Sequence, residues 1–178
     1  LYVGTVKRKN ISFDIRRLTL EEGETYDKGK QRVISERVED FLDGHKTLLY
    51  YPFAGSIDMR IKTWVHSADW RLVASYYGKK DKEQKAAIVQ EFKEGTKRMI
   101  VATKAFGMGV DKKDVALVVH YNISSSLENY VQESGRAGRD ESLQAQCCIL
   151  FNEEDLNTHF ALLRQSKLTL ADIQLIWN

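Results

Sequence analysis

Cysteine is almost absent from this 178-residue chain: there are two, and they are neighbours, Cys147 and Cys148 in the run AQCCILF. Neighbouring residues of a strand point to opposite faces, so these thiols are poorly placed to form a mutual disulfide or to share a metal ion. The four histidines are scattered without the spacing of metal ligands. We therefore expect buried, reduced thiols, structural or surface histidines, and no metal site.

Long apolar runs are also missing. No stretch reaches the roughly 20 residues that span a bilayer, and the start has no signal-peptide pattern. Both absences favour a cytosolic protein. The abrupt start, LYVGTVKRKN, and the end, LIWN, suggest a piece of a longer protein.

Net charge is small as well. The 27 Lys and Arg residues nearly balance the 25 Asp and Glu residues, which leaves a formal charge of +2. A nearly neutral chain does not attract nucleic acid by its overall field, so a nucleic-acid site has to be a local patch. The length and the 43% hydrophobic content fit one globular domain with a substantial core.

What the chain does contain is an alternation of strand-like and helix-like periods. Apolar residues alternate in ISFDIRRL, with Ile11, Phe13 and Ile15 on one side, and the polar EEGETYDKGK follows as a connector. Helical spacing appears in QRVISERVEDFLDG, in SIDMRIKTWV, and between Asp81 and Gly95. Short β-rich runs are KTLLYY, RLVASYYG, KRMIVAT, VALVVHYN and AQCCILF. Because several of these runs are apolar throughout, we expect an α/β fold with a mostly parallel central sheet covered on both faces.

In parallel sheets the functional loops lie at the carboxyl ends of the strands. This rule points to the loops YPFAGS, YYGKKDK, ATKAFGMGVDKKD and NISSSLENY. In the third loop, Gly109 lets the backbone approach a ligand closely, and the Asp111 carboxylate can accept hydrogen bonds from ribose hydroxyls. Thr103 and Lys104 supply a hydroxyl and a cation suited to a nucleic-acid phosphate. An ordinary connecting loop, with glycines that serve turns only, is the alternative.

The segment VQESGRAGRD carries two arginines among glycines that weaken a helix. Arg136 and Arg139 are three apart, as on one face of a helical turn, and Gln132 would share that face. Guanidinium groups bind oxyanions with paired hydrogen bonds, and the glycines would leave room for a bulky anion such as a triphosphate. A capping box from Ser125 to Glu128 is predicted to start this helix. A solvated, cationic helix end is the alternative.

Two stretches resemble a known family. ATKAFGMGVDKKDVALVVHYN and YVQESGRAGRD are similar to motifs V and VI of superfamily 2 helicases and, at this spacing, to the RecQ family of DNA helicases. RKNISFDI resembles the stretch that links the two motor domains of such enzymes, and the likeness covers roughly residues 8 to 151. It implies a RecA-like three-layer sandwich, here the second motor domain alone, because no GxxxxGK phosphate loop and no DExH sequence is present.

The resemblance divides the chain and assigns a role to each matching residue. Residues 1–27 would be the linker and first strand, 28–151 the motor domain, and 152–178 a helical extension toward a following domain. Arg139 matches the arginine finger that reaches the γ-phosphate across the domain interface, Arg136 matches its companion, and Gln132 matches the glutamine near the nucleotide. Gly109 and Asp111 match positions beside the ribose, and the start of their loop matches positions that hold the DNA backbone.

The resemblance also implies ATP with Mg²⁺ as the cofactor, bound mainly by a first motor domain, and DNA, as single strands and duplex junctions, as the substrate. The whole enzyme would unwind DNA with 3′ to 5′ polarity, in the nucleus or on the bacterial nucleoid, in DNA repair and recombination. Half of the ATP site would be missing from this chain, so we expect negligible hydrolysis by the chain alone.

Two loops depart from the family pattern. The family's Y-C-x-S-R stretch is replaced by YYPFAGS, and its YHAGL stretch by YYGKKDK. Both loops normally help to hold DNA, and Ser56 in the first and Lys79 and Lys80 in the second are candidates for phosphate contacts. The departures leave two alternatives open: a degenerate helicase-like module that binds nucleic acid or protein without chemistry, and an RNA helicase.

Overall fold

The computed structural model describes residues 8–42, 44–61, 70–106 and 112–165. These residues form six strands and five α-helices. The strands are β1 (Ile11–Arg17), β2 (Lys46–Tyr50), β3 (Val73–Tyr76), β4 (Met99–Ala102), β5 (Val115–His120) and β6 (Ala145–Phe151). The helices are α1 (Tyr26–Leu42), α2 (Ile57–Ile61), α3 (Lys82–Glu94), α4 (Leu127–Ser134) and α5 (Glu154–Gln165).

The strands form one sheet in the order β1-β6-β5-β2-β4-β3, and every neighbouring pair is parallel. The predicted α/β fold with its parallel sheet is therefore confirmed. β2 and β5 lie near the centre of the sheet and are buried along their whole length, which explains why their sequences are apolar without alternation. None of the described helices has the length and apolar character needed to cross a bilayer.

Helices cover both faces of the sheet. On one face, Ile34 and Val38 of α1 join a buried cluster with Leu117 of β5. On the other face, Phe92 of α3 joins a second cluster with Val118 of the same strand. Adjacent residues of β5 thus belong to different cores, so the protein has the three layers predicted for it.

Two helix boundaries follow the expected capping chemistry and one differs. The Asp81 side chain accepts a hydrogen bond from the Gln84 N–H at the start of α3, and Gly95 ends that helix in the left-handed conformation, both as predicted. α1 begins at Tyr26, inside the stretch expected to be a connector. Gly29 lies within this helix, and a Cβ at this residue would lie 2.6 Å from a methyl group of Leu20.

The start of α4 also differs from expectation. Ser126, not Ser125, caps α4, because its hydroxyl accepts the hydrogen bond of the Asn129 N–H. A 3₁₀ turn (Ala54–Ser56) leads into α2, which lies in the stretch SIDMRIKTWV that was predicted to be helical. Residues 62–69 lie outside the described part of the chain.

The first strand is an edge strand of the same sheet. β1 pairs with β6, as the alternating pattern of its sequence suggested. Its apolar row does not enter the core along its full length: Phe13 is 59% exposed and Ile15 is 72% exposed, while Ile11 packs against the second cluster. The domain boundaries proposed at residues 27/28 and 151/152 stay predictions.

The two cysteines are buried on opposite sides of β6. Cys147 belongs to the cluster on the α3 side and Cys148 to the cluster on the α1 side, and both are free thiols. Burial raises the pKa of Cys147 to about 12 and that of Cys148 to about 11. Both groups are therefore protonated at neutral pH and behave as small apolar side chains.

A buried ion pair joins α1 to the ends of β5 and β6. Lys30 and Asp155 are both fully buried, with Nζ to Oδ1 at 2.7 Å. The ammonium group also donates to the carbonyls of Tyr121 and Leu150. Asp155 accepts from Tyr26 as well. Burial lowers the pKa of Lys30 to about 8, although the Asp155 carboxylate opposes this shift.

Replacing Lys30 by Met tests this pair. Lys30→Met leaves the Asp155 carboxylate buried without its counter-charge, and we expect the free energy of unfolding to fall by about 3 to 5 kcal/mol. Urea denaturation followed by circular dichroism measures the change.

The matched control is Arg17→Met, which removes the exposed ion pair between Arg17 and Glu153 near the same end of the sheet. Since exposed pairs contribute little, this variant should unfold almost as the unmodified chain does. Equal losses of unfolding free energy in the two variants would show that the buried Lys30–Asp155 pair stabilises the protein no more than the exposed pair does.

Candidate functional site

A cavity of about 790 Å³ opens at the carboxyl edge of the sheet. Its walls include residues from the loops after β2, β3, β4 and β5, which are the four loops nominated from the sequence. The parallel strand order brings these loops together, because all six strands end at this edge. We call this space the edge cavity.

Aromatic rings form much of the cavity wall at β2 and β5. Tyr50 and Tyr51 follow one another at the end of β2, and both line the cavity together with His120. The Tyr51 ring meets Tyr121 edge-on at 4.9 Å, and its hydroxyl lies 3.1 Å from the Ser56 hydroxyl. Ser56 therefore supports Tyr51 and is not itself part of the lining.

The predicted phosphate-binding side chains fall into two groups. Thr103 and Lys104 line the cavity, and Lys104 is exposed. Lys79 is exposed and follows Gly78, which also lines the cavity. Lys80 is half-buried, with its ammonium nitrogen 4.9 Å from the centre of the Tyr77 ring. The cationic positions nearest the cavity are thus Lys104 and Lys79.

Two carboxylates also line the edge cavity, and both have partners. Asp155 is paired with Lys30 as described above. Glu133 of α4 lies 2.9 Å from the His120 imidazole and accepts a hydrogen bond from Ser124 at 2.8 Å. Both carboxylates are thus already hydrogen-bonded within the protein.

The arginines lie elsewhere than the sequence suggested. α4 ends at Ser134, so Arg136 and Arg139 are not on one helical face. The Gly138 N–H donates to the Val115 carbonyl at 2.8 Å, at the amino end of β5. We call residues 135–140 the arginine segment. It lies on the flank of the sheet, because the chain turns back along β5 after α4, and not at the carboxyl edge.

The arginine segment runs beside the end of the glycine-rich loop. The Asp140 N–H donates to the Lys113 carbonyl at 3.1 Å. Lys113 follows Asp111 by two residues in the sequence. The Arg136 guanidinium lies 6.0 Å from the centre of the Phe106 ring, which precedes that loop. Gly109 and Asp111 themselves lie outside the described residues. Phe106 and Lys113, on either side of the undescribed residues 107–111, thus lie beside the arginine segment, and the contact of the arginines with Asp111 stays a prediction.

The three motif residues of this region differ in exposure. Arg139 is exposed, Arg136 is half-buried beside Phe106, and Gln132 is exposed on α4. The Gln132 amide lies 3.4 Å from the Glu128 carboxylate one turn earlier. Of the two arginines, Arg139 is thus the more exposed residue.

The two glycines beside the arginines, Gly135 and Gly138, are closely packed. Gly138 has φ +53°, and a Cβ at this residue would lie 2.8 Å from both Ala145 Cβ and the Asn10 side-chain nitrogen. A Cβ at Gly135 would lie 2.8 Å from the Val131 carbonyl oxygen. The prediction that these glycines open a path for a bulky anion is wrong for these positions, because the space is filled by the protein itself.

Asn10 holds the arginine segment in place. Its buried amide nitrogen lies 2.7 Å from the Gly138 carbonyl, 3.0 Å from that of Asp140 and 2.9 Å from that of Leu143. Arg8 donates to the carbonyls of Gly135 and Gly138. Sequence reasoning missed Asn10, and its only signal was its place in RKNISFDI, more than a hundred residues before the arginines.

A family model described as the helicase conserved C-terminal domain matches residues 29–141 of the chain. The chain is 43% identical over 82 residues to ATP-dependent DNA helicase Q1 of Mus musculus, which covers 46% of this chain and 12% of that one. It is 30% identical over 161 residues to ATP-dependent DNA helicase Q-like 2 of Arabidopsis thaliana, covering 87% and 21%. The similarity to RecQ of Bacillus subtilis is 44% over 70 residues, covering 39% and 12%. The chain is thus related to RecQ-type DNA helicases and spans 12% to 21% of these relatives' length.

Solved structures share the fold. The yeast DEAD-box splicing factor Prp28 superimposes with a TM-score of 0.71 at 18% identity, over 93% of this chain and 35% of that one. Mycobacterium smegmatis helicase Lhr bound to ssDNA and AMP-PNP gives a TM-score of 0.65 at 19% identity, over 82% and 20%. The fold is that of a RecA-like helicase C-terminal domain.

Gly138→Ala tests the packing of the arginine segment. A left-handed backbone costs a residue with a side chain about 1 to 2 kcal/mol, and the contacts with Ala145 and Asn10 add to this cost. We expect a loss of stability in urea denaturation that exceeds the backbone term. Gly95→Ala is the matched control, because Gly95 has φ +91° and open space where its Cβ would stand. Equal losses would mean that the close packing at Gly138 is unimportant.

Proposed function

This chain belongs to the family of helicase conserved C-terminal domains, and we propose that it works as the second motor domain of an ATP-dependent, RecQ-like DNA helicase. In this role it supplies an arginine finger and part of the DNA path. The partner domain carries the phosphate loop and the Mg²⁺ ligands, and the whole enzyme unwinds DNA with 3′ to 5′ polarity. Such a motor acts where chromosomal DNA is, in the nucleus or on the bacterial nucleoid, in repair and recombination.

One observation carries this proposal: the arginine segment is fixed by buried hydrogen bonds while Arg139 itself is exposed. An arginine finger needs both properties, since its guanidinium has to reach a phosphate on another domain from a backbone that does not move. Arg139 is the finger, and Arg136, packed against Phe106, is its companion. Gln132, Gly109 and Asp111 complete the nucleotide side of the chain.

The catalytic contribution of such a finger is electrostatic. Phosphoryl transfer spreads negative charge over the γ-phosphate oxygens, and a planar guanidinium neutralises that charge with paired hydrogen bonds. Because the finger and the phosphate loop belong to different domains, hydrolysis requires closure of the two domains. Mg²⁺ bound to ATP by the first domain supplies further charge neutralisation at the phosphates.

The edge cavity supports the DNA path. Thr103 and Lys104 offer a hydroxyl and a cation at the end of β4, and Lys79 offers a second cation at the end of β3. We assign these three to the phosphate backbone. Ser56 and Lys80 are assigned a supporting role, since each is engaged with a tyrosine of the same loops.

A module that binds nucleic acid or protein without chemistry is the second candidate. The aromatic wall formed by Tyr50 and Tyr51, in a loop that departs from the family pattern, favours it. The two candidates differ in whether Arg139 has a catalytic task.

Arg139→Ala separates them. In a polypeptide that carries both motor domains, we expect the substitution to lower kcat for DNA-stimulated ATP hydrolysis by about 10³ to 10⁵. DNA affinity, measured by fluorescence anisotropy, should change little, because the arginine segment lies away from the edge cavity.

The control is Arg71→Ala, at the amino end of β3 on the opposite edge of the sheet, which should leave kcat unchanged. The 178-residue chain alone should hydrolyse ATP negligibly. Stimulated turnover by the isolated chain, or full activity of Arg139→Ala, would contradict the finger assignment.

Salt dependence tests the DNA path. For binding of the 178-residue chain to single-stranded DNA, the logarithm of the binding constant should fall linearly with the logarithm of the salt concentration. Lys104→Ala and Lys79→Ala should each reduce the slope by about 0.7, the contribution of one phosphate contact. Lys93→Ala, an exposed lysine in the last turn of α3, should leave the slope unchanged. A uniform effect of all three lysines would indicate binding by overall charge and no defined path.

A further inference from the structure

One carboxylate oxygen joins the edge cavity to α4. His120, the last residue of β5, is 1% exposed, and its Nε2 lies 2.9 Å from Oε2 of Glu133. A carboxylate only accepts, so Nε2 carries the proton. The Ser124 hydroxyl donates to the same oxygen at 2.8 Å. A strand, the loop that follows it and α4 therefore meet at Glu133.

The main chain of Glu133 continues this connection into the arginine segment. Its carbonyl accepts a hydrogen bond from the Arg136 N–H at 3.3 Å. A shift of Glu133 toward or away from β5 therefore moves the hydrogen bond that starts the turn carrying both arginines.

The face of the His120 ring reaches the same arginine by a second route. It stacks on Tyr50 with 5.2 Å between ring centres and 15° between planes. The Tyr50 hydroxyl donates to the Phe106 carbonyl at 3.3 Å, and the Arg136 guanidinium lies 6.0 Å from the Phe106 ring. Both routes begin at His120 and end at Arg136.

All four groups at the start of these routes border the edge cavity: His120, Glu133, Ser124 and Tyr50. Ser124 and Glu133 are both half-buried, and of the two only Ser124, with its hydroxyl, can donate a hydrogen bond to a phosphate. A phosphate that accepts the Ser124 hydrogen bond leaves the Glu133 carboxylate with His120 as its side-chain donor. The Glu133 side chain is 15% exposed, and a buried acceptor that loses its remaining donor costs free energy, so the hydrogen bond from His120 then carries more of its stabilisation.

We propose that His120 is a positioning residue that transmits the binding of single-stranded nucleic acid in the edge cavity to the arginine segment. Its Nε2–H holds Glu133 when Ser124 turns to a phosphate, so α4 settles in a second position and carries Arg136 with it. The inference rests on the proposed function, because it needs nucleic acid in this cavity and a task for the arginines. It assigns the link between the edge cavity and the arginine segment to the hydrogen bond from His120 to Glu133.

The test follows both ends of the link in the 178-residue chain by two-dimensional NMR during a titration with oligo(dT). Backbone amide signals of residues 122–125 report on the cavity, and those of residues 136–139 report on the arginine segment. In the unmodified chain we expect both sets to shift with the same binding isotherm.

Two variants of similar size separate the hydrogen bond from the space that the side chain fills. His120→Met removes the donor, and we expect residues 122–125 to respond to oligo(dT) while the response of residues 136–139 is lost. His120→Gln places an amide N–H near the position of Nε2, so the response of residues 136–139 should return. A merely structural role for His120 does not predict this rescue.

Ser124→Ala provides a second arm that keeps the buried cluster intact. It removes the loop's hydrogen bond to Glu133 from a half-buried position, so the fold is retained even where His120→Met fails to fold. We expect oligo(dT) to bind this variant and residues 136–139 to stay unshifted.

The outcomes distinguish the two levels of proposal. If oligo(dT) shifts neither set of signals in the unmodified chain, the proposed DNA path is overturned and the link falls with it. If it binds and residues 136–139 respond equally in the unmodified chain, Ser124→Ala and His120→Met, the DNA path stands and the assignment to His120 is overturned.

Discussion

The left-handed backbone of Gly138 is the constraint on which the candidate site depends. Four residues after the end of α4, the Gly138 N–H bonds to the start of β5, and the next residue, Arg139, is exposed. The turn is held by the buried amide of Asn10, which joins the first strand to three carbonyls of the turn. A guanidinium at the end of a flexible side chain gains directional precision from such a backbone, because only its own rotamers remain free.

The sheet separates two chemical tasks that are close in sequence. The loops at its carboxyl edge enclose a cavity with an aromatic wall, two hydrogen-bonded carboxylates and Lys104. The arginine segment stands on the flank, beside the end of the glycine-rich loop. α4 connects the two regions, and the contact of Glu133 with His120 ties it to β5. A motor domain that responds to nucleic acid on one side and to a nucleotide on the other requires such a connection.

Much of the fold follows from local sequence. The continuous apolar runs of β2 and β5 predicted buried parallel strands, and Asp81 and Gly95 bounded α3, because capping depends on residues within one turn. The start of α1 was missed because it lies in a polar stretch that contains Gly29, and glycine weakens a helix. The exposure of Phe13 and Ile15 could not be predicted from the sequence either. Alternation shows that a strand has two different faces, but it does not show which face is covered.

The sequence by itself determined the fold class, the family and the residue types of the site, because periodicity and motif spacing are local properties of the chain. Only the tertiary structure decided where Arg136 and Arg139 stand, how tightly the glycines beside them are packed, and that Asn10 holds their backbone. Each of these depends on contacts between residues far apart in sequence or on a single backbone angle. Gly138 illustrates the difference: its sequence suggested an open path for an anion, and its surroundings make it the point where the protein packs against itself.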